Sequence, residues 1–109
     1  MKDEELEKEL AEKAVAPRVT FDQVNAMAKN HTFYTHGLLT FCVIDLPNGF
    51  IVTGESACAS PENYNKEIGE KLAFDMAKNK IWILEGYLLR QSLFDAEDID
   101  FDNLFEEGN

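Results

Sequence analysis

Residues 38–63 read LLTFCVIDLPNGFIVTGESACASPEN, and this stretch decides the fold. Residues 38–46 are rich in strand formers. Phe41 and Val43 project to one side, and Cys42, Ile44 and Leu46 to the other. Both sides are apolar, so the strand is expected to be covered on both faces. Pro47-Asn48-Gly49 is a turn signal, because Asn-Gly supplies the positive φ angles of a tight hairpin. Residues 50–56, FIVTGES, then return as the partner strand. Pairing Leu46 with Phe50 sets Cys42 opposite Gly54 and Cys58 opposite Leu38. The two thiols are then about 13 Å apart along the sheet, beyond the reach of a disulfide.

The flanks of the hairpin read as helices. Upstream, Thr20-Phe21-Asp22-Gln23 fits a capping box, and Phe21, Val24 and either Met27 or Ala28 form one apolar face of a helix running to about Lys29. Residues 30–37, NHTFYTHG, read as a polar and aromatic connection. Downstream, Ser60-Pro61-Glu62-Asn63 reads as a helix start, with Ser as the cap and Pro in the first turn. Helical spacing continues through Tyr64, Ile68, Leu72, Met76, Ile81, Trp82, Leu84, Leu88 and Leu89. Asn79 and Gly86 are its weak points. Unbroken, residues 61–91 would span about 46 Å, more than a body of this size requires. The helix therefore either breaks near Asn79 or packs its second half on a partner subunit.

The 109-residue chain has room for one domain. Residues 1–17 read as an acidic, partly helical extension, 18–94 as the folded domain, and 95–109 as an acidic, disordered tail. The net charge of −11 divides as −3 over residues 1–13, −1 over 14–94 and −7 over 95–109. The body is thus nearly neutral, and no basic footprint for nucleic acid is present. No apolar run approaches the roughly 20 residues that cross a bilayer. The first residues lack the basic-then-apolar pattern of a secretory signal, so a cytosolic location with free thiols is expected. The fold class is α+β: a short helix, a two-stranded antiparallel hairpin, then a long or broken helix. A lone hairpin is marginal, so a homo-oligomer is expected in which hairpins or long helices pair between subunits.

Several constellations carry possible chemistry. Residues 54–63 form a small-residue loop from strand to helix, whose free N–H groups favour anions. Gly54, Ser56, Ser60, Asn63 and Tyr64, with Trp82 as a stacking surface, are the candidate ligand residues; the competing reading is a capped, tightly packed turn. Ser56 lacks the last glycine of a hydrolase elbow. Cys58 could draw only on His31 or His36 as base, with no orienting acid. His31, His36, Cys42 and Cys58 lack the paired spacing of a zinc site. No catalytic residue, metal or cofactor is expected. Glu85, Tyr87 and Arg90 form a candidate partner surface on the last helix, against simple helix packing. In the tail, Ile99, Phe101, Leu104 and Phe105 alternate with acids, as a segment steered to a basic partner would; packing on the chain's own body is the equal alternative.

The segments LLTFCVIDLPNGFIVTGESACASPEN, EIG and NKIWILEGYLLR resemble the small tailed-phage proteins of the gene-49/gene-66 family. The resemblance covers about residues 19–93 and omits both acidic ends. It implies a phage-encoded accessory protein acting in the host bacterial cytoplasm and carries no catalytic residue with it. Together these features point to a non-enzymatic binder that inhibits or sequesters a host defence or replication factor with a basic surface. The alternatives are a binder that sequesters a nucleotide signal between subunits, and an acidic DNA mimic. No membrane or direct nucleic-acid partner is expected.

Overall fold

The computed structural model describes residues 3–13 and 17–97. The elements run α1 (Asp3–Lys13), α2 (Phe21–Met27), β1 (His31–His36), β2 (Leu39–Asp45), β3 (Ile51–Ala57), a 3-10 turn (Pro61–Asn63) and α3 (Lys66–Glu97). The class is α+β, with three antiparallel strands in the order β1-β2-β3. The hairpin register is the expected one: Cys42 faces Gly54, and the Cys58 N–H donates to the Leu38 carbonyl at 3.1 Å. Both cysteines are free thiols.

The third strand corrects the two-stranded expectation. His31–His36 pairs along its whole length with β2, from His31↔Ile44 to His36↔Leu39. Gly37, at φ +59°, makes the connecting turn, a conformation that side chains with a Cβ rarely adopt. β1 is an edge strand with only Phe33 half-buried. It therefore shows none of the hydrophobic alternation by which a strand is recognised.

Capping decides the helix boundaries. Thr20 accepts from the Gln23 N–H at 3.1 Å while Gln23 accepts from the Thr20 N–H at 2.9 Å, which is the reciprocal box. α2 stops at Met27, two residues earlier than expected. There the His31 ring nitrogen bonds the Ala28 carbonyl at 2.8 Å, satisfying a backbone group the helix end leaves over. The start expected at Ser60 is displaced. Pro61–Asn63 forms only a 3-10 turn, and Ser60 makes no capping bond. Tyr64 is extended (φ −64°, ψ 129°), and Asn65 accepts the Ile68 N–H at 3.0 Å. Asn65 is the working cap. From there α3 continues unbroken for 32 residues through Asn79 and Gly86, a length of about 48 Å.

The core lies between the sheet and the helices. Val24 of α2, Ala28 at its C-cap, and Ala73, Ala77 and Ile81 of α3 enclose Cys42, Ile44 and Val52. The closest approach is at Gly54. A Cβ there would stand 2.2 Å from the Ala73 carbonyl oxygen and 2.5 Å from the Ala77 nitrogen. Gly69 repeats the theme against Thr40, where a Cβ would lie 2.9 Å from the hydroxyl. Glycine and alanine on both sides thus let helix backbone rest on strand backbone.

Within one chain this packing covers one face only, whereas the sequence reading expects cover on both. Thr40, Cys42, Ile44, Val52 and Gly54 are buried beneath the helices. On the opposite face Leu39, Phe41 and Val43 are half-buried, and Tyr34, Ile51, Thr53 and Glu55 are exposed.

Because the atoms beneath Gly54 are backbone, no rotamer change can make room there. Gly54→Ala is expected to lower the unfolding free energy by about 3 kcal/mol. Urea denaturation followed by circular dichroism measures it. An unchanged midpoint would show that α3 can lift off the strand at little cost.

Candidate functional site

The strand-to-helix junction holds most of the residues singled out as ligand contacts, but the fold uses several of them internally. Gly54 is buried under α3. The Ser56 hydroxyl donates to the Gly69 carbonyl at 2.7 Å, tying β3 to the first turn of α3. The Ser60 hydroxyl donates to the Glu62 carboxylate, and this bond holds the Glu62 carboxyl below its ordinary pKa. The Cys58 thiol is turned to the Ser60 carbonyl at 3.1 Å. Ser56, Cys58, Asn63 and Tyr64 line a narrow cleft of 150 Å³ with Leu38 and Leu72. That is below the roughly 300–1,000 Å³ of small-molecule sites.

Trp82 lies elsewhere, about 20 Å further along α3 than Gly69. It lines a cleft of 640 Å³ between α1 and α3, together with Leu6, Leu10, Phe21, Met76 and Asn79. The six candidate ligand residues therefore do not meet within one chain. This second cleft was not foreseen, because its walls come from segments some 70 residues apart. The only sequence signal was the Leu6/Leu10 pair on α1.

Two ties hold the walls of the larger cleft. Arg18 grips Glu7 with bonds of 2.5 and 3.2 Å and so anchors α1. Lys78 of α3 bonds Asn25 at 3.2 Å and sits 5.4 and 5.3 Å from the Phe21 and Phe74 ring centroids. Lys78 thus fastens α3 to α2 by its stem and its charge. Cys42 is buried on the other side of the core. Desolvation, and secondarily the charge of Glu70, push its thiol pKa upward. A buried, protonated thiol is a poor nucleophile.

The candidate partner residues sit where α3 runs past the sheet. Leu84 is the last residue of the helix that packs on the core. Glu85 is half-buried, while Tyr87 and Arg90 are exposed on the following turns. Ile83, Tyr87 and Leu88 are 70%, 69% and 57% exposed, so this segment shows large apolar groups to water. Ile99, Phe101, Leu104 and Phe105 fall outside the described residues. Among the described residues, no helix is long and apolar enough to cross a membrane.

These elements, including α1 and the overhanging end of α3, coincide with a known protein family. Residues 3–93 match the phage protein (N4 Gp49/phage Sf6 gene 66) family. The chain belongs to this family. The matched stretch begins at residue 3, so the shared unit includes α1, which the resemblance seen in the sequence had left out. No curated protein and no solved structure matches the chain.

The anchor of α1 is pH-dependent. The hydrogen bond from Arg18 lowers the Glu7 pKa from its ordinary 4.5, more than desolvation raises it. A carboxyl with a lowered folded-state pKa contributes stability above its unfolded value, lost as pH falls through the folded one. Acidification from neutrality to below the ordinary carboxylate range is therefore expected to free α1 while the sheet persists. Hydrogen exchange should show amide protection falling first in α1. Arg18→Ala should reproduce that loss at neutral pH.

Proposed function

We propose that this phage protein is a non-enzymatic binding protein that occupies and inhibits a host factor of defence or replication. The observation that carries the reading is the open face of the sheet. Leu39, Phe41 and Val43 form its centre on the middle strand, and exposed Tyr34 and Ile51 border it. A contiguous apolar surface left in water is characteristic of a binding site. Asp45 and Glu55 lie on the same face, which suits a basic partner surface. Exposed Tyr87 and Arg90, with half-buried Glu85 beside them, offer a second surface towards the end of α3. A DNA mimic would need carboxylates spread over a rigid face. On the open sheet face they are two, set among apolar neighbours, so protein recognition is better supported.

A second reading rests on the larger cleft. Trp82 offers a stacking surface there, with the Asn79 amide beside it. This arrangement suits the base of a nucleotide signal, its phosphates being kept away from the Glu7 and Asp75 carboxylates of the same cleft.

Capture from host lysate tests the first reading. The tagged protein is expected to retain the same host protein in repeated experiments, identified by mass spectrometry. Tyr34→Glu and Ile51→Glu alter exposed side chains and should leave the circular dichroism spectrum unchanged. Each should lower capture by about tenfold, the effect of losing one interface anchor. Equal capture by wild type and both variants would remove the open face from the reading. A thermal-shift panel of nucleotides tests the second. A rise of several degrees with one nucleotide supports it, and no shift with any counts against it.

A further inference from the structure

We infer that the cleft between α1 and α3 is filled by the overhanging end of α3 from a second copy of the chain, the two helices crossing antiparallel at Gly86. This stands independently of the host-factor reading.

The first observation is Gly86 itself. Glycine in mid-helix is unfavourable, and the other helical glycine, Gly69, is explained by its contact with Thr40. A Cβ at Gly86 would meet nothing within 4 Å. The fold of one chain thus gives no reason for a glycine there. Gly86 lies nine residues from Ala77, half a turn round the helix from the core-facing side. Asn79, Trp82, Ile83, Leu89, Arg90 and Leu93 flank it at spacings of three and four, the seam pattern of paired helices. A glycine at the centre of such a seam lets two backbones approach closely.

The second observation is the cleft. Its α1 wall carries Leu6 and Leu10, still 45% and 43% exposed, and its α3 wall carries Met76, Asn79 and Trp82. One chain therefore leaves apolar groups on both walls in water.

The third is arithmetic. A two-fold axis through Gly86 lays residue 97 against 75, 93 against 79, and 90 against 82. The α3 wall of the cleft runs from Asp75 to Trp82, so in this arrangement it faces residues 90–97 of the second copy's helix. Leu93 and Phe94 enter between α1 and α3 of the partner, where Leu6, Leu10 and Met76 offer apolar contact. Arg90, the one basic residue in 81–97, arrives beside Trp82 and the acidic helix α1. The symmetry is isologous, so each copy fills the other's cleft.

Light scattering on the purified full chain at tens of micromolar is expected to give twice the 12.4 kDa chain mass. Ile83 is exposed in one chain, so Ile83→Glu should keep the circular dichroism spectrum and yield a monomer. Gly86→Leu should weaken the dimer by about tenfold or more. For geometry, Asn79→Cys chains are mixed with Leu93→Cys chains, both also carrying Cys58→Ser. Positions 79 and 93 are about 21 Å apart in one helix, so a disulfide between them joins two chains. Mild oxidation should give the mixed disulfide dimer in preference to either symmetric one. A monomeric wild type overturns the inference. So does a dimer that survives Ile83→Glu and Gly86→Leu, or one dissolved by Tyr34→Glu, which would place the pairing on the sheet. A nucleotide that raises the melting temperature of a wild-type monomer overturns it as well, by naming another occupant.

Discussion

The packing of α3 on the sheet depends on backbone meeting backbone at Gly54. Sheet and helix layers normally keep apart by the thickness of two side chains. At this contact the strand contributes none, and Ala73 and Ala77 contribute a methyl each. Dispersion energy between the layers is therefore gained at short range, and the position of α3 along β3 is set by the one residue that permits it. Thr40 beneath Gly69, and the Ser56 hydroxyl on the Gly69 carbonyl, fix the same helix one turn earlier. Two points define a line, and these two fix how α3 leaves the sheet and where its second half projects.

That geometry separates the surfaces available to other molecules. The helix-facing side of the sheet is consumed by the core. The opposite side of the sheet remains, and on the helix side so do the outer face of α3 and the adjoining α1–α3 cleft. A change on one can leave the others intact. A small viral protein gains from such separation, since one short chain can present distinct surfaces without a second domain.

Local chemistry was legible wherever a few adjacent residues decide the outcome. The Thr20/Gln23 box, the Asn48-Gly49 turn and the Cys42–Gly54 register all belong to this class. Edge strand β1 was not legible, because of its residues only Phe33 is half-buried against the core, too little to impose alternation. The start of α3 was misplaced because Ser60-Pro61 is a sound local signal that Asn65 outcompetes once Tyr64 is extended. The small-residue loop shows a different limit. Gly54 was read as a ligand contact and instead meets α3, because a glycine does not say whether a ligand or the chain's own helix does the approaching. The larger cleft needed three segments brought together, which no local pattern encodes.

The order of elements also shapes how the protein is made. The three strands precede α3, so the sheet is synthesised before the helix that covers it. Some 40 residues, 58–97, separate the end of β3 from the end of α3. At roughly 5–20 residues per second, their synthesis takes about 2–8 s. Until α3 is complete, Cys42, Ile44 and Val52 lack the Ala73, Ala77 and Ile81 side chains that cover them in the finished protein. Neighbouring ribosomes on one messenger hold such unfinished chains close together, and rapid docking of α3 onto Gly54 ends that exposure.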